Sequence, residues 1–167
     1  MSETEDDLQE AFAGESQANR KYLAFARQAE EEGYSQVAKL FRAAAQSETV
    51  HAMNHLQVMG GISDTRKNLE EAAEGESEEF REMYPDFVDR AKENNNHNAR
   101  DSFEYAMEVE EIHHGMYREA IEAVEQGEDL PSTSLFVCQG CGNTVKEEPP
   151  DSCPVCGAPR SMFTEVE

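Results

Sequence analysis

Glu48-x-x-His51 and Glu110-x-x-His113 set a carboxylate and an imidazole three residues apart, twice, at an offset of 62 residues. On a helix, residues three apart share a face, and hard oxygen donors mixed with borderline nitrogen suit iron or manganese. The same offset carries Tyr22 onto Tyr84, Phe25 onto Phe87, Ala29 onto Ala91, Phe41 onto Phe103 and Ala44 onto Ala106 without a gap. Two copies of one helical hairpin, facing a shared interior, are the simplest reading. In a chain with 36 acidic residues a single Glu-x-x-His is a common by-product of solvated helix faces. Its repetition in register with aromatic and alanine positions carries the inference.

A dinuclear carboxylate site in a four-helix bundle takes one Glu from each of two helices and Glu-x-x-His from each of the others. Glu15, in Ala13-Gly14-Glu15-Ser16, and Glu76, in Gly75-Glu76-Ser77, occupy nearly equivalent places in the two copies, and Glu79 follows Glu76 by one turn. Carboxylates aimed into a bundle interior are costly to bury without a cation. The repeat is imperfect, because Glu15 maps onto Ser77 and Glu79 onto Gln17, so one half carries a spare carboxylate. His55, His97 and His114 match no pattern and are assigned to the surface or to the surroundings of the ligands.

Cys138-x-x-Cys141 and Cys153-x-x-Cys156 are separated by eleven residues, and each pair is followed by glycine, Gly142 or Gly157. Four thiolates at this spacing form a tetrahedral metal site. Spacing does not separate zinc from a single iron.

The elements that must position these groups follow from periodicity. Leu8, Phe12, Ala18, Tyr22, Phe25, Ala26 and Ala29 recur at helical spacing, predicting a helix over 5–32 that ends at Gly33. A second helix is expected over 35–59, closed by Gly60-Gly61, and a third over 65–93, capped by Ser63 or Asp64. A start later than 65 would follow if the two hairpins needed a longer crossover. The fourth covers 96–125. Pro85 falls inside the third helix, where an interior proline costs about 3 kcal/mol; a kink near Glu79 and a break at Tyr84 are both compatible with it. This gives an all-α four-helix bundle over 1–130, a linker over 131–134 and a small cysteine module over 135–167.

The formal charge of −22, from 14 basic and 36 acidic residues with only five lysines, argues against nucleic acid as a partner. Self-repulsion on this scale favours a salt-rich cytosol that screens it. No apolar run is long enough to span a membrane, and the first residues are acidic where a signal peptide is basic. A cytoplasmic setting is expected, where clustered cysteines bind metal rather than pair as disulfides.

Taken together, the residues resemble a rubrerythrin, a ferritin-like di-iron bundle with a C-terminal rubredoxin-like domain. Ala11-Phe12-Ala13-Gly14-Glu15-Ser16-Gln17-Ala18 is similar to the family's first-helix signature, Gly75-Glu76 through Glu79 to Met83-Tyr84-Pro85 to its third, and Cys153-Pro154-Val155-Cys156-Gly157-Ala158-Pro159 to the rubredoxin knuckle. The resemblance covers nearly the whole chain. It implies a di-iron centre on Glu15, Glu48, His51, Glu76, Glu79, Glu110 and His113, with His51 and Glu79 exchanging at one iron as oxidation state changes. It implies tyrosines near the site at Tyr22 and Tyr84, and one iron on Cys138, Cys141, Cys153 and Cys156, with zinc as an alternative. The activity implied is reduction of hydrogen peroxide to water in oxidative-stress protection, with electrons from a reductase or rubredoxin relayed through the four-cysteine iron. A ferroxidase or iron-handling protein with structural zinc is the rival. A homodimer or higher oligomer is implied, one subunit's cysteine module approaching the other's di-iron site. Asn143 stands where the family commonly has an aromatic residue, and the polar loop 143–152 is expected to leave the cysteine metal less sheltered.

Overall fold

The computed structural model describes residues 2–166, and the chain divides into two compact units that meet between Ser63 and Asp64. The first is a helical hairpin, α1 (Glu3–Glu31) and α2 (Ser35–Val58). Ser2 starts α1: its hydroxyl accepts from the Glu5 amide, and the Glu5 carboxylate accepts from the Ser2 amide, satisfying two otherwise orphaned donors. Gly33, at φ +84°, turns the chain where a side chain would be strained. The buried residues of the pair are all alanines, Ala26, Ala29, Ala38, Ala45 and Ala52, so the helices approach closely. Asn19 ties them further, donating to the Ala45 carbonyl at 2.7 Å and to Thr49 Oγ1 at 2.8 Å.

The second unit repeats the hairpin and adds the cysteine module. Its first arm is α3 (Thr65–Glu78), a π-helical segment (Glu79–Met83) and α4 (Tyr84–Glu93); its second is α5 (His97–Glu125). Asp64 caps α3 by accepting from the Lys67 amide at 3.0 Å, which holds its carboxyl below the usual range. The helix therefore starts at Thr65, not later. Asn96 caps α5 through the Ala99 amide. Three short strands follow, β1 (Leu135–Cys138), β2 (Thr144–Lys146) and β3 (Phe163–Glu165). They form an antiparallel sheet in the order β2-β1-β3, with Phe136 opposite Val145 and Val137 opposite Thr164. Among the described residues, no helix is long and apolar enough to cross a membrane.

The π-helical segment resolves the Pro85 question and the broken repeat together. No break occurs, since the chain stays helical from Thr65 to Glu93, and the distortion expected near Glu79 takes the form of a π turn. Upstream of this segment the copies align at an offset of 61, with Leu8 on Leu69, Gly14 on Gly75, Glu15 on Glu76 and Ser16 on Ser77; downstream they align at 62. Seven positions separate Glu15 from Tyr22 but eight separate Glu76 from Tyr84. A π turn absorbs one extra residue without ending a helix. Here the Tyr84 amide reaches back five residues to the Glu79 carbonyl, and Pro85, without an N–H, follows directly. Both hairpins can therefore present equivalent groups above and below the insertion. Tyr22 lies 6.4 Å from Phe25 and 6.2 Å from Phe41, ring centre to ring centre; Tyr84 lies 6.1 Å from Phe87 and 6.3 Å from Phe103.

A deletion test follows. Removing the exposed Glu82 alone is predicted to convert the segment to ordinary α-helix, press the Pro85 ring into the preceding turn and cost about 3 kcal/mol. The same deletion combined with Pro85→Ala is expected to restore most of that loss. Thermal denaturation of both variants checks this, and equal losses in the two would contradict the account.

Candidate metal centres

Each hairpin brings together two carboxylates and one imidazole. In the first, His51 Nδ1 lies 2.8 Å from Glu48 Oε2 and 3.9 Å from Glu15 Oε1. In the second, His113 Nδ1 lies 2.9 Å from Glu110 Oε2 and 3.6 Å from Glu76 Oε1. Within each triad the potential ligand atoms all fall within 4.8 Å of one another. The near-identity of the two sets, despite the one-residue slip between Glu15 and Glu76, follows from the π turn lying between Glu76 and Tyr84. Each triad offers two carboxylates and one imidazole, so each suits one hard or borderline divalent cation.

The electrostatics of the second triad call for such a cation. Burial, followed by repulsion from Glu110, pushes Glu76 up to about 7. Glu79 lies outside the triad but is raised by burial and then by Glu110. Tyr84 is raised by burial first and then by Glu79, Glu110 and Glu76, which places its hydroxyl in the field of all three. Tyr22 belongs to the aromatic cluster with Phe25 and Phe41.

His113 makes one more bond, its Nε2 lying 3.0 Å from Thr144 Oγ1. Thr144 Oγ1 in turn lies 3.4 Å from the Gly142 carbonyl, which can only accept. The hydroxyl proton points to Gly142, so the oxygen receives Nε2–H and leaves Nδ1 as the nitrogen facing the carboxylates. Fixing the remote nitrogen of a histidine in this way sets its tautomer and ring orientation for metal binding. Thr144 begins β2, directly after the cysteine knuckle, so a module residue touches a triad residue of the same chain. Thr144 carries no signal in the sequence; only the packing of β2 on α5 reveals it. Of the other histidines, His114 donates Nδ1–H to the Ala73 carbonyl at 2.8 Å and lies tilted against Phe80, 5.7 Å between ring centres, His55 is half-buried, and His97 is exposed at the start of α5.

The four cysteines converge. Cys138 and Cys156 sulfurs lie 3.7 Å apart, and those of Cys141 and Cys153 3.6 Å. A disulfide needs about 2.05 Å, whereas a tetrahedron with metal–sulfur bonds of about 2.3 Å separates its sulfurs by about 3.8 Å. The donor set fits one metal ion. Two similar knuckles build it. The Gly142 amide donates to the Cys138 carbonyl at 2.8 Å and the Gly157 amide to the Cys153 carbonyl at 2.9 Å, with both glycines in the left-handed region at φ +88° and +74°. A Cβ at Gly140 would stand 3.3 Å from the Cys156 sulfur. Burial works to raise the Cys153 thiol, but the amides of Cys156 and Val155 aimed at its sulfur bring it down to about 7; burial pushes Cys141 up. The expectation of a poorly sheltered metal is corrected for half of the ligand set, while Cys141 and Cys156 stay half-buried. Asn143 is buried, as are Cys138 and Cys153, because its side chain turns inward toward sulfur instead of joining the polar loop.

Comparison with known proteins agrees with this geometry. Residues 6–121 match the family model described as rubrerythrin, and residues 136–164 that described as the rubredoxin-like domain of rubrerythrin. The chain is 32% identical to rubrerythrin-2 of Clostridium acetobutylicum, over 96% of this chain and 95% of that one. It is 34% identical to a rubrerythrin of Porphyromonas gingivalis, over 99% and 91%. Among solved structures, nigerythrin in its fully reduced, all-ferrous state is similar with a TM-score of 0.58 at 30% identity, covering 99% of this chain and 88% of that one.

Proposed function

Because the chain belongs to the rubrerythrin family, with its ferritin-like fold, di-iron centre and cysteine-bound iron, we propose that it is a peroxidase that reduces hydrogen peroxide to water and protects against oxidative stress. The observation that carries this reading is the pair of matched triads, one of them hydrogen-bonded through Thr144 to the cysteine module. Glu15, Glu48, His51, Glu76, Glu79, Glu110 and His113 are the residues that would hold two irons. The two irons, when bound, supply the two electrons that cleave the O–O bond; two protons complete two waters. Glu79, next to the second triad and raised in pKa, is the spare carboxylate that would replace His51 as a ligand on oxidation. Tyr84 keeps its proton because burial and three carboxylates disfavour the phenolate, so its hydroxyl would be a hydrogen-bond donor beside the second triad. Thr144 orients His113 and joins it to the Gly142 carbonyl beside Cys141, a short covalent and hydrogen-bonded connection for electrons arriving singly from a reductase or rubredoxin.

Anaerobic mixing of the reduced protein with hydrogen peroxide is expected to oxidise the di-iron centre and then return the red colour of the ferric four-cysteine site. Unchanged spectra would overturn the reading. The ferroxidase alternative predicts many irons per chain after ferrous loading in air, against three or fewer for the peroxidase. A homodimer or higher homo-oligomer fits the exposed apolar side chains of α2, Leu40, Val50, Met53 and Val58; light scattering of the purified protein tests it. We also read the charge of −22 as salt adaptation. Raising potassium chloride from about 0.1 M to 1 M shortens the screening length from about 10 to 3 Å and is expected to raise the melting temperature; a fall would refute this.

A further inference from the structure

The two cysteine knuckles are equivalent in backbone and unequal in one side chain. Cys138-Gln139-Gly140-Cys141-Gly142-Asn143 corresponds to Cys153-Pro154-Val155-Cys156-Gly157-Ala158. In the first, the Cys138 amide donates to the Asn143 carbonyl at 2.9 Å; in the second, the Cys153 amide donates to the Ala158 carbonyl at 2.7 Å. Ala158 shows that the backbone role at this position needs no polar side chain. Asn143 nevertheless carries one, is 1% exposed, and crosses to the other knuckle, where its Nδ2 lies 3.7 Å from the Cys153 sulfur. Its Oδ1 is buried with no hydrogen-bond partner. Such an oxygen costs about 1–3 kcal/mol, so this amide is a poor choice as mere filling. The reversed amide orientation would set Oδ1 against a thiolate, oxygen lone pairs facing sulfur charge, so the N–H must be the end that meets the sulfur.

We propose that Asn143 tunes the reduction potential of the four-cysteine iron by donating this N–H to the Cys153 sulfur. The four thiolates give the site a charge of −1 with ferric and −2 with ferrous iron. A donor dipole aimed at sulfur stabilises the more negative, reduced state and raises the potential, the recognised effect of hydrogen bonds to ligating sulfurs. In this buried setting the dipole is poorly screened by water. Asn143 is a positioning residue here: it touches a ligand atom, not peroxide. Through it the module becomes a readier electron acceptor for the external donor, at the expense of driving force toward the di-iron centre.

The inference rests on the proposed iron occupancy, and redox titration of the full-length, iron-loaded protein tests it. In Asn143→Ala, which recreates the residue found at the equivalent position of the second knuckle, the ratio of reduced to oxidised four-cysteine iron at a fixed buffer potential is expected to fall about tenfold, or about 59 mV for a one-electron couple. Asn143→Leu is expected to lower it similarly, and Asn143→Asp, nearly isosteric but anionic, further still. The di-iron potentials should stay in place. An unchanged four-cysteine potential in Asn143→Ala overturns the inference, including the case where only the melting temperature moves, since that marks a purely structural residue. Wild-type protein that is colourless and holds zinc alone overturns the peroxidase reading as well, and is recognised before any variant is made.

Discussion

Exchange of Glu110 for glutamine is expected to stabilise the metal-free protein while emptying and silencing the metal-bound one. Burial and the neighbouring Glu110 push Glu76 to about 7 from an ordinary 4.5. Between those values the native chain holds a proton that the unfolded chain has released. This contribution to stability is therefore full below about pH 4.5 and lost as pH rises to about 7. It amounts to about 2 kcal/mol once partial exposure is discounted. Glu110→Gln removes the repulsion and should flatten part of that slope, leaving the larger part that burial sets, which denaturant unfolding of chelator-treated protein at pH 5 and 7.5 measures. With metal the sign reverses. Iron replaces the proton and needs the carboxylate charge, so the variant should hold less iron, and peroxide turnover should fall at least 100-fold, the upper range for losing even an outer partner of a ligand. If the variant retains full iron and activity, Glu110 is not a ligand. If its metal-free stability falls instead, the carboxylates do not repel as described.

Loss of one cysteine should have an equally large but spatially confined effect. Among the described residues of the module, only Cys138, Asn143, Pro149 and Cys153 are buried, so it has almost no apolar core and its strands are three or four residues long. A fold of this size depends on its metal, and apparent binding energies of about 10–16 kcal/mol for structural zinc in small domains show how much that link can supply. Cys153→Ser is expected to remove the metal and unfold the sheet. The helical circular dichroism should persist, because Asp64, Asn96 and the alanine seams that define the helices lie elsewhere. Unfolding also removes Thr144 from His113. Steady-state peroxide turnover should therefore stop, while chemically reduced protein still completes a single turnover. Survival of the sheet signals in nuclear magnetic resonance spectra of Cys153→Ser would disprove the dependence on metal.

Much of the fold was legible because the chemistry of this chain is written at fixed spacings. The offset of 62 aligned Glu48 with Glu110 and Tyr22 with Tyr84, and the structure returns that alignment as two triads and two aromatic clusters of nearly equal dimensions. Asp64 marked a helix start through a local hydrogen bond, which depends on a neighbour three residues away. Glu15 against Ser77 looked like a broken symmetry; it is an inserted residue absorbed by a π turn. Asn143 was misread as part of an exposed polar loop, because composition says nothing about which way a side chain turns.

The sequence by itself determined the two helical hairpins, the cysteine module, the family and the sets of residues that could hold metal, since each rests on local periodicity or on residue types at short separations. Only the tertiary structure decided that Thr144 holds His113, that Asn143 reaches the Cys153 sulfur, and that the spare residue near Glu79 is stored as a π turn. The first two contacts join residues 31 and 10 positions apart through the packing of strands and loops, where no repeating pattern records the partner. The third depends on backbone hydrogen bonds that slide by one residue, a choice that side-chain spacing leaves open.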